Sequence, residues 1–256
     1  MKNFNAKTET ENIINWIKNY YEEHRLGGAV LGISGGKDSA VVAGLMVKAL
    51  GSENVVGLWL PCHSKEEDKK DAQELANHLG IKLFEKDLTT AYESIRLGLS
   101  PDPNGIEYKD ADINLKPRLR MSTVYYYAAY LSKLTGKTYI VPGTSNACEI
   151  YVGYFTKGGD NVADIKPIAN LTVDEVIAVG DELGLPKHIV HKTPDDGLSG
   201  MSDEEKLGVK YSDIAKFINN DKEALEQMNA KTFCDIAAKH AWCQHKFNIP
   251  EYKPEE

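Results

Sequence analysis

Ala29-Val30-Leu31-Gly32-Ile33-Ser34-Gly35-Gly36-Lys37-Asp38-Ser39 runs from a short, continuously apolar segment into a glycine turn. Residues 39–50 beyond it are apolar with helical periodicity and stop at Gly51. A buried strand, a tight turn and a helix in that order put the turn at the carboxyl edge of a sheet, where open α/β sheets bind ligands. Gly35 and Gly36 let a phosphate chain come close to the backbone. The helix behind them offers free N–H groups and the positive end of its dipole. Ser34 and Ser39 add hydroxyl donors, and Asp38 would repel a bare phosphate, which implies a bridging Mg²⁺. The turn is not a Walker A loop, because Leu31 stands where that motif needs its first glycine and Asp38 where it needs Ser or Thr. The competing reading is a purely structural turn with Asp or Ser capping the helix.

The flanking sequence repeats the alternation. Residues 8–24 carry Ile13, Trp16, Ile17, Tyr20 and Tyr21 at helical spacing, before Gly27-Gly28 breaks the pattern. Residues 54–60 (NVVGLWL) read as a second buried strand closed by Pro61, 65–78 as an amphipathic helix, and 81–84 as a third strand. A long helix over 114–134 precedes a fourth strand at 138–141, which Pro142-Gly143 ends. Thr172-Val173-Asp174-Glu175 has the form of a capping box and opens a helix to about residue 183; from about 201 onward the chain reads as helical. Short apolar strands alternating with helices imply a doubly wound parallel sheet of the α/β class, in one domain over 1–256. The stretch 99–112, rich in Pro, Gly, Asp and Asn, is expected to be an irregular connection or a lid.

Composition narrows the classes. No run of 18 apolar residues exists, so no membrane-spanning helix is expected. A net charge of −8 argues against nucleic acid as a partner, while leaving room for a local basic pocket that takes a small anion. Met1 to Asn5 lack an apolar signal region. Cys62, Cys148, Cys234 and Cys243 form no disulfide framework, so reduced thiols and a cytoplasmic location are expected. The spacing of Cys234, His240, Cys243 and His245 fits no common zinc finger. Cys62 and His63, adjacent on a strand end, point to opposite faces, which favours an ordinary buried thiol over a nucleophile with its base.

Ser34-Gly35-Gly36-Lys37-Asp38-Ser39 after a first buried strand resembles the pyrophosphate loop of the N-type ATP pyrophosphatases, which share the adenine-nucleotide alpha hydrolase-like fold. Within that superfamily, later segments resemble the ammonia-dependent NAD synthetases. Asn114-Leu115-Lys116-Pro117-Arg118-Leu119-Arg120-Met121 is similar to their N-x-K-A-R-x-R-M, with Pro117 in place of the usual Ala; a proline in the first turn of a helix is tolerated. Two arginines two apart do not share a helix face, so one of them is expected at a ligand. Thr144, Glu149, Gly153, Thr156-Lys157-Gly158-Gly159-Asp160, Ser202-Asp203-Glu204-Glu205 and His245-Lys246 keep the family's spacing. Gly32, Ile33, Ser34, Gly35, Gly36, Lys37, Asp38, Ser39, Thr144, Val173 and Asp195 fall at the ATP-binding positions that the resemblance implies. Val173 stands where relatives place a Lys, and Asp195 where they place a Thr. By the same resemblance Lys37 and Asp38 are catalytic, Asp38 and Glu149 hold Mg²⁺, and Arg118, Lys157, Asp164, His245 and Lys246 contact deamido-NAD. Read without the family, Glu149 is a helix-surface charge and Lys116, Arg118 and Arg120 are a solvated helix face.

The resemblance implies ATP-dependent amidation of deamido-NAD with ammonia, through an adenylated carboxylate, by a homodimer. Only about 27 residues precede the first strand, too few for a glutamine-hydrolysing domain, so free ammonia is the expected nitrogen source. Two alternatives stay open: another adenylating member of the superfamily, such as a GMP synthetase-like subunit or a tRNA-modifying thiolase, and a non-enzymatic adenine-nucleotide-binding module.

Overall fold

A computed structural model describes residues 4–97, 109–193 and 202–253. The chain opens with α1 (Ala6–Glu23), started by Asn5, whose side chain accepts from the Thr8 amide. Then follow β1 (Gly28–Gly32), α2 (Lys37–Leu50), β2 (Val55–Trp59), α3 (Glu66–Leu79), β3 (Lys82–Glu85), α4 (Thr89–Leu97), α5 (Lys109–Thr135) and β4 (Tyr139–Ile140). The remainder is helical, in α6 (Ala147–Val152), α7 (Val173–Glu182), α8 (Lys187–Val190), α9 (Asp203–Leu207), α10 (Tyr211–Ile218), α11 (Lys222–Glu226) and α12 (Ala230–Cys243). The capping box expected at α7 is present: Glu175 Oε2 accepts from the Thr172 amide at 2.7 Å and from its hydroxyl at 2.9 Å.

The four strands are parallel in the order β3-β2-β1-β4. The period of two along each strand divides the core. Ala29, Leu31, Val55 and Trp59 pack with α1, α2, α3, α7 and α8 on one face; Val30, Val56, Leu58 and Tyr139 pack with α4 and α5 on the other. A third apolar cluster joins α6, α9, α10 and α12. The chain winds outward from β1 to β3, then returns to place β4 on the opposite side of β1. A crevice therefore opens at the carboxyl ends of β1 and β4, where the strand order reverses.

Two elements depart from the sequence reading. α4 was not expected. α5 begins at Lys109, inside the stretch read as irregular, while residues 98–108 lie outside the described residues. Arg96 Nε donates to Asp112 Oδ1 at 3.0 Å, so an ion pair between the end of α4 and the first turns of α5 supports helix where local composition opposes it. That earlier start puts Pro117 two turns inside α5 rather than in its first turn.

Candidate active site

A cavity of about 440 Å³ fills the crevice. Its floor is the turn 32–39, its sides are the segments after β2 and β4, and one stripe of α5 closes it. That stripe is Ile113, Lys116, Pro117, Arg120, Met121 and Val124, spaced three and four apart so that they share a helix face.

Gly35 has φ +80°, and a Cβ there would lie 2.6 Å from the Asp68 carbonyl oxygen, so only glycine fits. The turn is braced by its serines. Ser39 Oγ accepts from the Ser34 amide (3.2 Å) and donates to the Gly36 carbonyl (3.0 Å), and Ser34 Oγ accepts from the Gly36 amide (3.2 Å). Gly36 is the N-cap of α2 and no side chain caps it. The capping alternative thus fails for Asp38, whose carboxylate turns away from the loop backbone. Its Oδ2 accepts from Lys37 Nζ at 3.0 Å and its Oδ1 from Asn146 Nδ2 at 3.1 Å.

Asn146 comes from the far side of the crevice. It caps α6, accepting from the Cys148 and Glu149 amides, and Glu149 Oε2 closes the box on the Asn146 amide at 3.1 Å. One short helix thereby delivers Glu149 to the cavity that holds Asp38. Burial, and then the charge of Asp38, push the Glu149 carboxyl well above the usual carboxylate range. Burial pulls the Lys37 ammonium down, but Asp38, Glu149 and Asp203 outweigh it and its pKa is raised. A buried site with this excess of carboxylate over ammonium fits a hard divalent cation. Among the described residues no group of three His, Cys, Asp or Glu is arranged to hold a metal.

The structure brings Gly32 through Ser39, Thr144 and Glu149 to one cavity. Val173 does not line it; the capping box at Thr172 starts α7 with Val173 buried in the third apolar cluster. Asp195 lies outside the described residues. The five dinucleotide positions also lie off the cavity wall. Arg118 donates from Nε and Nη2 to the Lys157 carbonyl, both at 3.2 Å, and Lys157 Nζ donates to the His245 carbonyl at 3.0 Å. Lys246 Nζ donates to the Gly153 and Phe155 carbonyls, and Asp164 accepts from the Val141 amide (2.7 Å) and the Tyr125 hydroxyl (3.3 Å).

Sequence reasoning missed several wall residues: Lys116, Arg120, Asp160 and Asp203; Lys192, which the sequence offers as a substitute for the phosphate contacts in doubt at Val173 and Asp195, also lines the wall. Asp203 follows the N-cap of α9, where Ser202 and Glu205 form a further capping box, so the family's S-D-E run has a local structural role as well. Its helix-start signature was readable; the direction of Asp203 was not.

The NAD synthase family model matches residues 9–250. The NH(3)-dependent NAD(+) synthetase of Carboxydothermus hydrogenoformans is 39% identical over 248 residues, covering 96% of this chain and 97% of that relative. Among solved structures, the NMN synthetase of Francisella tularensis aligns with a TM-score of 0.85 at 34% identity, covering 98% of this chain and 99% of that one. The NH3-dependent NAD synthetase of Campylobacter jejuni aligns at 0.81 and 26% identity, covering 98% and 100%. A parallel sheet with this loop after β1, matched over nearly its whole length, leaves one assignment: the chain belongs to the NAD synthase family.

Proposed function

We infer that this chain amidates deamido-NAD with ammonia in an ATP-dependent reaction, giving NAD, AMP and pyrophosphate. The observation that carries the chemistry is the uncapped turn Ser34–Ser39 at the β1–β4 switch point, with Asp38 and Glu149 facing the same cavity. A carboxylate is a poor acceptor for ammonia because its oxygen leaves badly. Attack of that carboxylate oxygen on the α-phosphorus of ATP forms an oxygen–phosphorus bond and breaks the α–β anhydride, releasing pyrophosphate. Ammonia then forms a bond to the activated carbon, and AMP departs with the oxygen. The chain contributes mainly position and charge. The free amides at the start of α2 and the Ser34 hydroxyl receive the pyrophosphate, and Lys37, held by Asp38, adds positive charge beside it. Asp38 and Glu149 would hold Mg²⁺, which when bound neutralises phosphate charge.

Several finer points belong to the same reading. The chain works as one unit, with ammonia as its nitrogen donor. It operates in the cytoplasm, in keeping with four unpaired cysteines; among the described residues no helix is long and apolar enough to cross a membrane. It pairs with a second copy through the outer face of α5, where Tyr126, Tyr130 and Leu134, four residues apart, are 68%, 51% and 65% exposed. The dinucleotide contacts of Arg118, Lys157, Asp164, His245 and Lys246 lie around this cavity, outside its wall.

The likeness to the Francisella NMN synthetase supports a second substrate reading, in which the same chemistry acts on the deamido mononucleotide. Pyrophosphate release from ATP and ammonium is therefore measured with deamido-NAD, with nicotinate mononucleotide and with xanthylate. Turnover is expected with deamido-NAD and not with xanthylate. A clear preference for the mononucleotide moves the substrate to the second reading, and turnover with none of the three removes the amidation reading.

A further inference from the structure

The cations on the cavity wall are not equivalent. Lys37 is paired with Asp38 at 3.0 Å, and Lys192 is held by Asp68 at 2.8 Å and Asp71 at 2.6 Å. Arg120 makes no ion pair among the described residues. Its Nε donates to the Leu60 carbonyl at 3.1 Å and its Nη2 reaches Ser64 Oγ at a long 3.4 Å. Desolvation by burial lowers its pKa, and the charges of Asp160 and Asp68 oppose that only through space. A guanidinium does not lose its proton in a protein, so the charge stays in the cavity without a counter-ion. An unpaired desolvated charge is unfavourable unless a ligand completes it. The contacts with Leu60 and Ser64, both beyond the end of β2, fix the fork in advance and leave its remaining edge for an oxyanion. Arg118, two residues earlier, is exposed and spends its donors on the Lys157 carbonyl instead.

We propose that Arg120 pairs with an oxyanion of the reactants inside the cavity, either a phosphate of ATP or the carboxylate of deamido-NAD. The proposal rests on the amidation reading for the identity of the reactants, though not for the presence of an anion. Titration calorimetry compares the wild type with Arg120→Gln and Arg120→Lys, using ATP alone and deamido-NAD alone, so that no turnover intervenes. The Gln variant is expected to bind one of them roughly 10- to 100-fold more weakly, the range of one charge-assisted hydrogen bond. The Lys variant should recover part of that loss, and the melting temperature of the unliganded variants should not fall. A loss confined to ATP assigns the phosphate; one confined to deamido-NAD assigns the carboxylate. Unchanged affinity of the Gln variant for both ligands overturns the proposal. So does an equal loss for both that accompanies a fall in the unliganded melting temperature, since that marks Arg120 as a brace for Leu60 and Ser64. Wild-type turnover, measured in parallel, tests the amidation reading separately.

Discussion

Asp38 and Glu149 face one cavity beside the Lys37 ammonium, which makes Glu149 the residue at which stability and activity oppose each other. Its carboxyl is pushed up by burial and by Asp38, so ionising it in the unliganded protein is unfavourable. Glu149→Gln keeps an oxygen that can accept from the Asn146 amide and therefore preserves the start of α6. The variant should be more stable without ligand, read as a higher melting temperature, because it removes a carboxyl whose ionisation burial and Asp38 oppose. Its turnover should fall by at least about tenfold, and the added thermal stability that ATP with Mg²⁺ confers should shrink. A lower melting temperature with activity intact would return Glu149 to the role of a helix cap. Asp38 teaches a related lesson about legibility. That it carries a charge unsuited to bare phosphate was readable from the turn itself, but its partner Asn146 lies 108 residues away and only packing supplies it.

At the scale of elements, α5 carries both the cavity stripe and a proline that breaks its own ladder. Pro117 cannot donate to the carbonyl of Ile113, and a proline inside a helix costs about 3 kcal/mol relative to alanine. Part of that is offset because proline restricts the unfolded chain; the contact of its Cβ with the turn at Gly159, where an added Cβ would meet it at 3.1 Å, is one that alanine keeps. Pro117→Ala should therefore stabilise the protein by about 1–2 kcal/mol, seen in urea unfolding as a higher midpoint at unchanged slope. A midpoint that stays or falls would mean that the restricted unfolded chain outweighs the lost hydrogen bond. The strands and the helices α1, α2, α3 and α7 were legible because apolar periods of 2 and 3.6 mark them and Gly, Pro or capping residues punctuate them. α4 and the first turns of α5 were not, because an ion pair between Arg96 and Asp112 stabilises them and no local period announces it. The short helices α6 and α8 are too brief to show a period at all.

For the whole molecule, the outer face of α5 sets the expected assembly. Tyr126, Tyr130 and Leu134 leave an apolar line on the surface, with Phe84 of β3 in tilted contact with Tyr127 beside it. Sedimentation should show twice the chain mass for the wild type, and Tyr130→Glu with Leu134→Glu should halve it while the far-UV signal of the folded chain persists. A monomeric wild type, or a double variant that still dimerises, would move the interface elsewhere. The doubly wound sheet, the carboxyl-edge position of the turn 32–39 and the family were all determined by the sequence, since local spacing encodes the period of each element and the turn residues encode backbone freedom. The tertiary structure decided which charged side chains share a cavity. Local spacing does not separate Arg118 from Arg120, and the resemblance favours Arg118, yet helical geometry sends Arg118 to the Lys157 carbonyl and Arg120 to the cavity wall. Val173 holds a family position but faces the core, because the capping box at Thr172 sets the rotation of α7 against its neighbours. Direction across the fold depends on how elements pack, and no spacing along a single chain records it.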